Sequence, residues 1–155
     1  MRKTLIIAST SLLVGATAAQ AQGLQIAPAG TSHTSLGAAQ NFSGHVAVDR
    51  KSAGDSGKYG SVGVVDFAPG ARTAWHTHPA GQLLVVTDGH GWVQEEGQPR
   101  REIKAGDTVW IEADVKHWHG AAEKNGMRHL AIAYVKDGKS ADWKELVTDE
   151  QYNTR

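Results

Sequence analysis

The chain has 155 residues and no cysteine, which is the length of one ordinary domain and excludes disulfide frameworks, thiol catalysis and zinc–cysteine modules. Lysine plus arginine equals aspartate plus glutamate at 16 each, so no excess charge is present to hold nucleic acid or an anionic membrane. With 40% apolar residues, 21% charged residues and 18 glycines, the composition indicates a turn-rich globular protein, and an all-β chain is the first prediction.

Residues 1–21 have the pattern of a secretory signal peptide. Arg2 and Lys3 precede an apolar stretch, and Ala19-Gln20-Ala21 supplies the small residues of a cleavage site. The apolar stretch is interrupted by serine and threonine, and it is shorter than the roughly 20 residues that a membrane-spanning helix needs. We therefore predict export with cleavage, no membrane association afterwards and, in a bacterium with two membranes, a periplasmic location.

The remaining chain divides into an arm and a folded domain. Residues 22–40 are rich in Ala, Gly, Ser and Thr and predict a flexible N-terminal arm, whereas residues 41–155 predict a single domain. Strand character recurs at residues 42–48, 61–67, 83–87, 92–95, 108–111 and 128–135. Turn sequences at 69–70, 88–89, 96–99 and 105–107 separate these segments, which is the rhythm of a sandwich or barrel.

The last segment differs from the strands before it. Ser140 is a plausible helix N-cap, and Trp143, Leu146 and Val147 follow at helical spacing. The pattern predicts one short helix over residues 140–151 that packs on the barrel.

Four of the eight histidines form two His-x-His pairs, His76-Thr77-His78 and His117-Trp118-His119. Side chains two apart on a strand project to the same face, so each pair can direct both imidazoles into one interior space. The same alternation places the Trp118 side chain on the opposite face of the strand, so we predict a packing role for it.

A glutamine follows the first His-x-His pair at a spacing that suits a further metal ligand. Gln82 lies four residues after His78, and its amide oxygen is a further neutral ligand candidate. Three imidazoles and an amide oxygen would hold a divalent first-row metal while leaving its charge uncompensated and some positions open. The alternative is that these histidines are core residues satisfied by backbone carbonyls; two pairs with a suitably placed glutamine favour the metal.

Two stretches resemble the cupin family. The first is Gly70-x5-His76-x-His78-x3-Gln82-x6-Gly89, and the second runs from Gly106 to His117. More narrowly, PGARTAWHTHPAGQ (69–82), KHWHGAA (116–122), HLAIA (129–133) and VTDEQY (147–152) resemble small bacterial manganese cupins that act as hydroxynitrile lyases of the mandelonitrile type. The resemblance covers roughly residues 63–152.

The resemblance implies a single-domain cupin jelly-roll barrel that cleaves or forms cyanohydrins, with cyanohydrins and aldehydes as its small-molecule partners. It implies a divalent metal, manganese before iron, nickel, cobalt or zinc, held by His76, His78, Gln82 and His117. It places three catalytic candidates in the pocket, namely Thr73, His119 and His129. It also implies a homodimer or homotetramer.

Alternation along the strands agrees with part of this implied site. His119 shares parity with His117, and His129, Ala131 and Ala133 share one face; with Gly63, the two alanines would leave room for a ligand. Thr73 differs in parity from His76, so its inward orientation requires a bulge or twist. Ala133 stands where the resemblance leads us to expect a polar amide. Arg72, His33, His45 and His90 are interpreted as solvated side chains.

Two other functions remain open from the sequence. The same three-histidine site loaded with iron or nickel would suit a dioxygenase that binds dioxygen or a chelating enol. A non-catalytic cupin that binds a small ligand or sequesters metal is the third hypothesis, since a cupin barrel hosts many functions.

Overall fold

A computed structural model describes residues 23–52 and 54–154, so the predicted signal peptide at 1–21 lies outside the described residues. The described chain contains twelve strands, a short 3-10 helix (Gly54–Lys58) and one α-helix. The strands are β1 (Thr34–Leu36), β2 (Phe42–Ser43), β3 (Val46–Lys51), β4 (Gly60–Phe67), β5 (Arg72–Thr73), β6 (His76–Thr77), β7 (Gln82–Glu95), β8 (Arg101–Lys104), β9 (Thr108–Ile111), β10 (His117–Ala121), β11 (Met127–Tyr134) and β12 (Asp142–Trp143). The helix α1 spans Asp149–Asn153.

The strands pair antiparallel in two sheets that share β7. The first sheet has the order β1-β3-β4-β11-β7-β9. The second has the order β2-β5-β10-β7-β8, with β6 between β10 and β12. The main hydrophobic core lies between the two sheets and includes Phe67, Leu84, Val86, Ile111 and Met127. The all-β, single-domain jelly-roll prediction is confirmed.

The predicted turn at 88–89 is wrong, because β7 continues through it. Gly89 has a φ of +69°, and a Cβ there would lie 2.0 Å from the carbonyl oxygen of Gly126. Up to Gly89 the strand pairs in the first sheet, and from His90 onward it pairs in the second. The glycine therefore lets one strand turn the corner between the sheets, instead of reversing the chain.

The predicted helix over 140–151 is wrong in its extent. Residues 142–143 form β12 against β6, and the helix begins only after Thr148. Thr148 accepts a hydrogen bond from the backbone N–H of Gln151, whose side chain accepts one from the backbone N–H of Thr148, a capping box that sets the start. Val147 and Tyr152 pack with Trp75 and Trp118 in a second hydrophobic cluster. The short helix thus packs on the barrel as expected.

The segment before the domain joins the first sheet in part. Within the predicted arm, β1 pairs with β3, with Ser35 opposite Val48. Among the described residues, no helix has the length and hydropathy that crossing a bilayer requires.

Candidate metal centre

Three strands position the predicted ligands inside the barrel. His76 lies on β6, Gln82 begins β7 and His117 begins β10, where it pairs directly with His76. His78 follows β6, and its ring centroid lies 5.0 Å from that of His76. All four side chains are buried, as is His119.

Backbone carbonyls fix the orientation of three imidazoles. Nδ1 of His76 lies 3.0 Å from the Ala74 oxygen, that of His78 lies 2.5 Å from the Ser140 oxygen, and that of His117 lies 2.9 Å from the Val115 oxygen. A carbonyl oxygen can only accept, so each Nδ1 carries the proton and donates it. Each Nε2 is then left with a free lone pair, which is how second-sphere partners prepare histidines for a metal.

One contact at the centre suits a bound cation. His117 Nε2 and Gln82 Oε1 lie 3.2 Å apart, and with Nδ1 of His117 donating elsewhere both atoms are acceptors. Protonation of His117 could bridge them, but burial lowers the pKa of this imidazole to about 4. Two ligands at right angles on one ion, each about 2.1 Å from it, lie about 3 Å apart. The donor pair therefore fits a shared divalent metal.

Further imidazole nitrogens lie around this contact. Nε2 of His78 is buried without a hydrogen-bond partner in the described structure, and its Nδ1 is already bound. Ligand atoms of His76, His117 and His119 lie within 4.8 Å of one another. This group contains His76 and His117 of the predicted ligands together with His119, which was predicted as a catalytic residue, and it leaves out His78. The ring centroid of His78 lies 5.5 Å from that of His117, and Gln82 contacts His117.

Burial keeps the histidines neutral. Desolvation lowers the pKa of His78, lowers that of His76 and His119 well below the usual value, and lowers that of His129 to about 4. The proximity of other imidazoles adds to the effect on His76 and His119. Neutral imidazole is the form that binds a metal or accepts a proton, so the site is ready for both at neutral pH.

The three predicted catalytic residues lie together beside the ligands. Nε2 of His129 and Nδ1 of His119 are 3.1 Å apart, and Thr73 Oγ1 accepts a hydrogen bond of 3.2 Å from the backbone N–H of His119. The outer nitrogens of the pair, His119 Nε2 and His129 Nδ1, are buried without partners in the described structure. Ala74 and Trp75 interrupt the strand between β5 and β6. Because of this interruption Thr73 faces the cavity, which strict alternation from His76 would not allow.

A cavity of about 340 Å³ opens above these groups. Gly63, Ala131 and Ala133 line it, as the face parity predicts, and their small side chains leave the space open. The sequence reasoning missed Phe42 and Trp143, whose rings are 5.5 Å apart at the same cavity. Local sequence gives no sign that β12 pairs with β6, and this pairing brings the Trp143 ring centroid to 4.8 Å from that of His76.

The structure also bears on the side chains that were predicted to pack in the core or to face solvent. Trp118 is fully buried, so its predicted packing role is confirmed, and His33 and His45 are exposed as expected while His90 is half-buried. The prediction of a solvated Arg72 is wrong. Its guanidinium is buried, donates to the carbonyl oxygen of Val147 and pairs with Asp149 of the C-terminal segment.

Comparisons with known proteins agree with this architecture. A family model described as a cupin domain matches residues 63–139. The chain is 48% identical over 129 residues to a curated (R)-mandelonitrile lyase of Granulicella tundricola, which covers 83% of this chain and 98% of that protein. A cupin-like protein of Thermotoga maritima has a TM-score of 0.72 at 43% identity, over 76% of this chain and 90% of that one. A predicted oxalate decarboxylase of the same organism shares the fold, with a TM-score of 0.62 at 16% identity over 72% of this chain and 99% of that one. The chain belongs to the cupin family, among the cupins that resemble (R)-mandelonitrile lyase.

Proposed function

We propose that this cupin is a metal-dependent lyase that cleaves cyanohydrins to an aldehyde and hydrogen cyanide and forms them in the reverse direction. One observation carries the proposal: Gln82 Oε1 and His117 Nε2 face each other as acceptors at 3.2 Å, beside a cavity that also contains the His119–His129 pair. The similarity to a relative named (R)-mandelonitrile lyase supports the choice of reaction.

The residues that would hold the metal are His76, His78, Gln82 and His117. All four are neutral ligands, so a divalent ion retains its full charge. When bound, such an ion acts as a Lewis acid that lowers the pKa of a hydroxyl group, as it does for water. Manganese is the ion that the sequence resemblance favours, and the nitrogen and oxygen donors also suit iron, nickel, cobalt or zinc.

The His119–His129 pair would move the proton. In the cleavage direction, His119 Nε2 accepts the hydroxyl proton of the cyanohydrin, because this nitrogen is buried and has no partner in the described structure. The C–O bond becomes a carbonyl as the bond to the nitrile carbon breaks, and cyanide leaves with the electron pair. The imidazolium then returns the proton to cyanide, so the products are aldehyde and hydrogen cyanide. Proton transfer of this kind contributes roughly 100- to 10,000-fold.

Neighbouring groups would orient these reactants. The hydrogen bond between His119 and His129 fixes the ring that accepts the proton. Thr73 Oγ1 already accepts from the backbone N–H of His119, which leaves its own hydroxyl proton for a ligand in the cavity. The cavity volume of about 340 Å³ lies in the range of sites for small organic ligands.

The test is aldehyde release from mandelonitrile by the full chain loaded with manganese. We expect metal-dependent release of benzaldehyde, and loss of metal and activity in His117→Ala. The matched control is His45→Ala, which removes an exposed histidine and leaves the cavity intact.

Two outcomes would replace the proposal. Oxygen consumption with flavonol or diketone substrates, without cyanohydrin cleavage, would identify a dioxygenase. Tight metal or ligand binding with no turnover in either assay would identify a binding protein.

A further inference from the structure

The cavity beside the candidate metal centre has an uneven distribution of charge. Among the described residues that line it, Arg50 is the only lysine or arginine, and none is an aspartate or glutamate. Arg50 is exposed, so it lies at the open end of the cavity. The positive charge at this end therefore has no counter-charge among the lining residues that the structure describes.

Alternation along β3 directs Arg50 toward the cavity. Val46 is buried in the main core and Val48 packs against it, so Arg50, next in this alternation, lies on the same inner face of the strand. Asp49 and Lys51 lie on the opposite face, where they pair with each other. Within the part of the chain that the structure describes, the Arg50 side chain forms neither a hydrogen bond nor an ion pair. A guanidinium with several N–H donors is thus left for a ligand.

The register of the first sheet relates Arg50 to the predicted metal ligands. Arg50 lies opposite Gly63, Gly63 lies opposite Ala131, and Ala131 lies opposite Leu84. Three strand spacings therefore separate Arg50 from Leu84, or about 14 Å along the sheet. Gln82 begins the strand that contains Leu84, and Gln82 and Arg50 both line the cavity. A ligand that extends from the predicted metal site along this face thus reaches the guanidinium.

Small apolar residues occupy the wall between these two ends. Gly63, Ala131 and Ala133 line it, and a wall of this kind suits the carbon skeleton of a ligand. A polar group returns only beside Arg50. Ser61 lines the cavity, lies on the same inner face of β4 as Gly63 and is therefore a diagonal neighbour of Arg50 across the strand pair. Its hydroxyl can donate a hydrogen bond to a group that the guanidinium holds.

We propose that the natural substrate carries a carboxylate at the end remote from the metal site, and that Arg50 binds this carboxylate. The inference rests on the proposed function, because the other end of the substrate is the hydroxyl or carbonyl group that the lyase reaction requires. A guanidinium binds a planar carboxylate through two parallel hydrogen bonds, and its single positive charge matches a single negative charge. The substrate class is therefore that of carboxylate-bearing aldehydes and their cyanohydrins.

The first measurement compares two cyanohydrins of similar shape, those of para-carboxybenzaldehyde and para-methylbenzaldehyde, as substrates of the full chain loaded with manganese. We expect kcat/KM to be at least about 10-fold higher for the carboxylate, since a charge-assisted pair is among the stronger hydrogen-bonded contacts. The difference should lie in KM, because a contact remote from the reacting atoms binds substrate and transition state alike.

Three variants assign the preference to Arg50. Arg50→Met should abolish it without changing cleavage of the methyl compound, and since this side chain is exposed the variant should fold. Arg50→Lys should retain part of the preference, because an ammonium group keeps the charge but not the two-point contact. The matched control is Arg101→Met, which removes an exposed arginine of the second sheet that does not line this cavity. It should leave the preference unchanged.

The second measurement does not depend on turnover. Isothermal titration calorimetry gives the Kd of para-(hydroxymethyl)benzoate, which has no nitrile to lose, for the full chain with and without manganese. We expect Arg50→Met to raise this Kd at least about 10-fold in both forms, and Arg101→Met to leave it unchanged.

The two measurements separate this proposal from the lyase reaction. Binding that depends on Arg50, without cleavage of either cyanohydrin, would support the carboxylate site and refute the lyase. Cleavage of both cyanohydrins with no preference would support the lyase and overturn the carboxylate site. A preference or a Kd that is the same in Arg50→Met as in the unchanged chain would also overturn it.

Discussion

His129 Nε2 lies 3.1 Å from His119 Nδ1, and the two buried rings meet edge to face with centroids 4.8 Å apart. The hydrogen bond leaves the outer nitrogen of each ring without a partner among the described residues. One nitrogen of the pair is thus positioned to exchange a proton with a ligand, while the other ring fixes its orientation.

This pair predicts a loss of turnover without a loss of metal. We expect His129→Gln to lower kcat for mandelonitrile about 100-fold or more, because His119 loses the partner that orients it. His119→Gln should lower kcat at least as much. The double variant should lower kcat little further than His119→Gln alone, since the two rings act as a unit. Steady-state kinetics with metal analysis of each variant tests this, beside His45→Gln as a control. Unchanged turnover in His129→Gln would assign the proton transfer elsewhere.

The neutral ligand set predicts opposite changes in metal affinity and turnover. Gln82→Glu preserves the shape of the side chain but adds a negative charge next to the ion. We expect metal binding at least 10-fold tighter and slower cyanohydrin cleavage, because the carboxylate compensates part of the charge that polarises the substrate. Competition with a metal chelator and steady-state kinetics measure the two effects.

The control for this substitution is Gln98→Glu, which makes the same change at an exposed position. It should move neither quantity. Unchanged metal binding in Gln82→Glu would show that residue 82 does not contact the ion.

Stripped of metal, the protein should lose stability as the pH falls. Unfolded histidines have a pKa near 6.5, whereas burial lowers the pKa of His117 and His129 to about 4 and also lowers that of His76, His78 and His119. Below pH 6.5 the unfolded chain therefore binds protons that the folded chain does not, so the free energy of unfolding falls with decreasing pH until the folded-state pKa values are reached.

Each buried histidine contributes a slope on the order of 1 kcal/mol per pH unit in that window. Urea titrations in the presence of a chelator between about pH 7 and pH 4.5 measure it. His129→Gln should reduce the slope, and His33→Gln, an exposed position, should not. A free energy of unfolding that does not change over this window would contradict the burial of neutral imidazoles.

The sequence predicted the centre of the site because local spacing determines it. In the two His-x-His segments, the period of two along a strand places His76 with His78 and His117 with His119, and these pairs do meet in the barrel. Strict alternation alone does not turn Thr73 inward, and the bulge or twist that its predicted position required is the interruption between β5 and β6. The break depends on a hydrogen bond from the backbone N–H of Trp75 to the carbonyl oxygen of Glu145, far along the chain.

Features that depend on distant partners were missed for the same reason. Ser140 and Thr148 are both acceptable N-caps, and the pairing of β12 with β6 decides in favour of Thr148. Asp88-Gly89 is a good turn sequence, yet neighbouring strands in both sheets keep β7 continuous. Local propensity identified these residues as special, and tertiary pairing decided what each of them does.

Arg72 is buried, although its local sequence indicates a solvated side chain beside a turn. Its Nη2 donates 2.9 Å to the carbonyl oxygen of Val147 and 2.6 Å to Asp149, and its guanidinium lies 4.8 Å from the ring centroid of Tyr152. Arg72→Met leaves the carbonyl of Val147 without this donor and frees the C-terminal segment from β5. We expect a loss of about 2–3 kcal/mol in the free energy of unfolding, the usual cost of a buried polar group left without its partner.

Arg128→Met is the matched control, because Arg128 pairs with Asp66 at the surface, where both side chains are at least 40% exposed. Solvent screens an exposed ion pair, so Arg128→Met should lower the free energy of unfolding less than Arg72→Met does. Urea titration of the two variants at one pH gives the comparison. Equal losses would mean that Arg72 stabilises the fold only as a surface charge does, and a larger loss for Arg72→Met would show that this buried guanidinium fastens the C-terminal segment to the barrel.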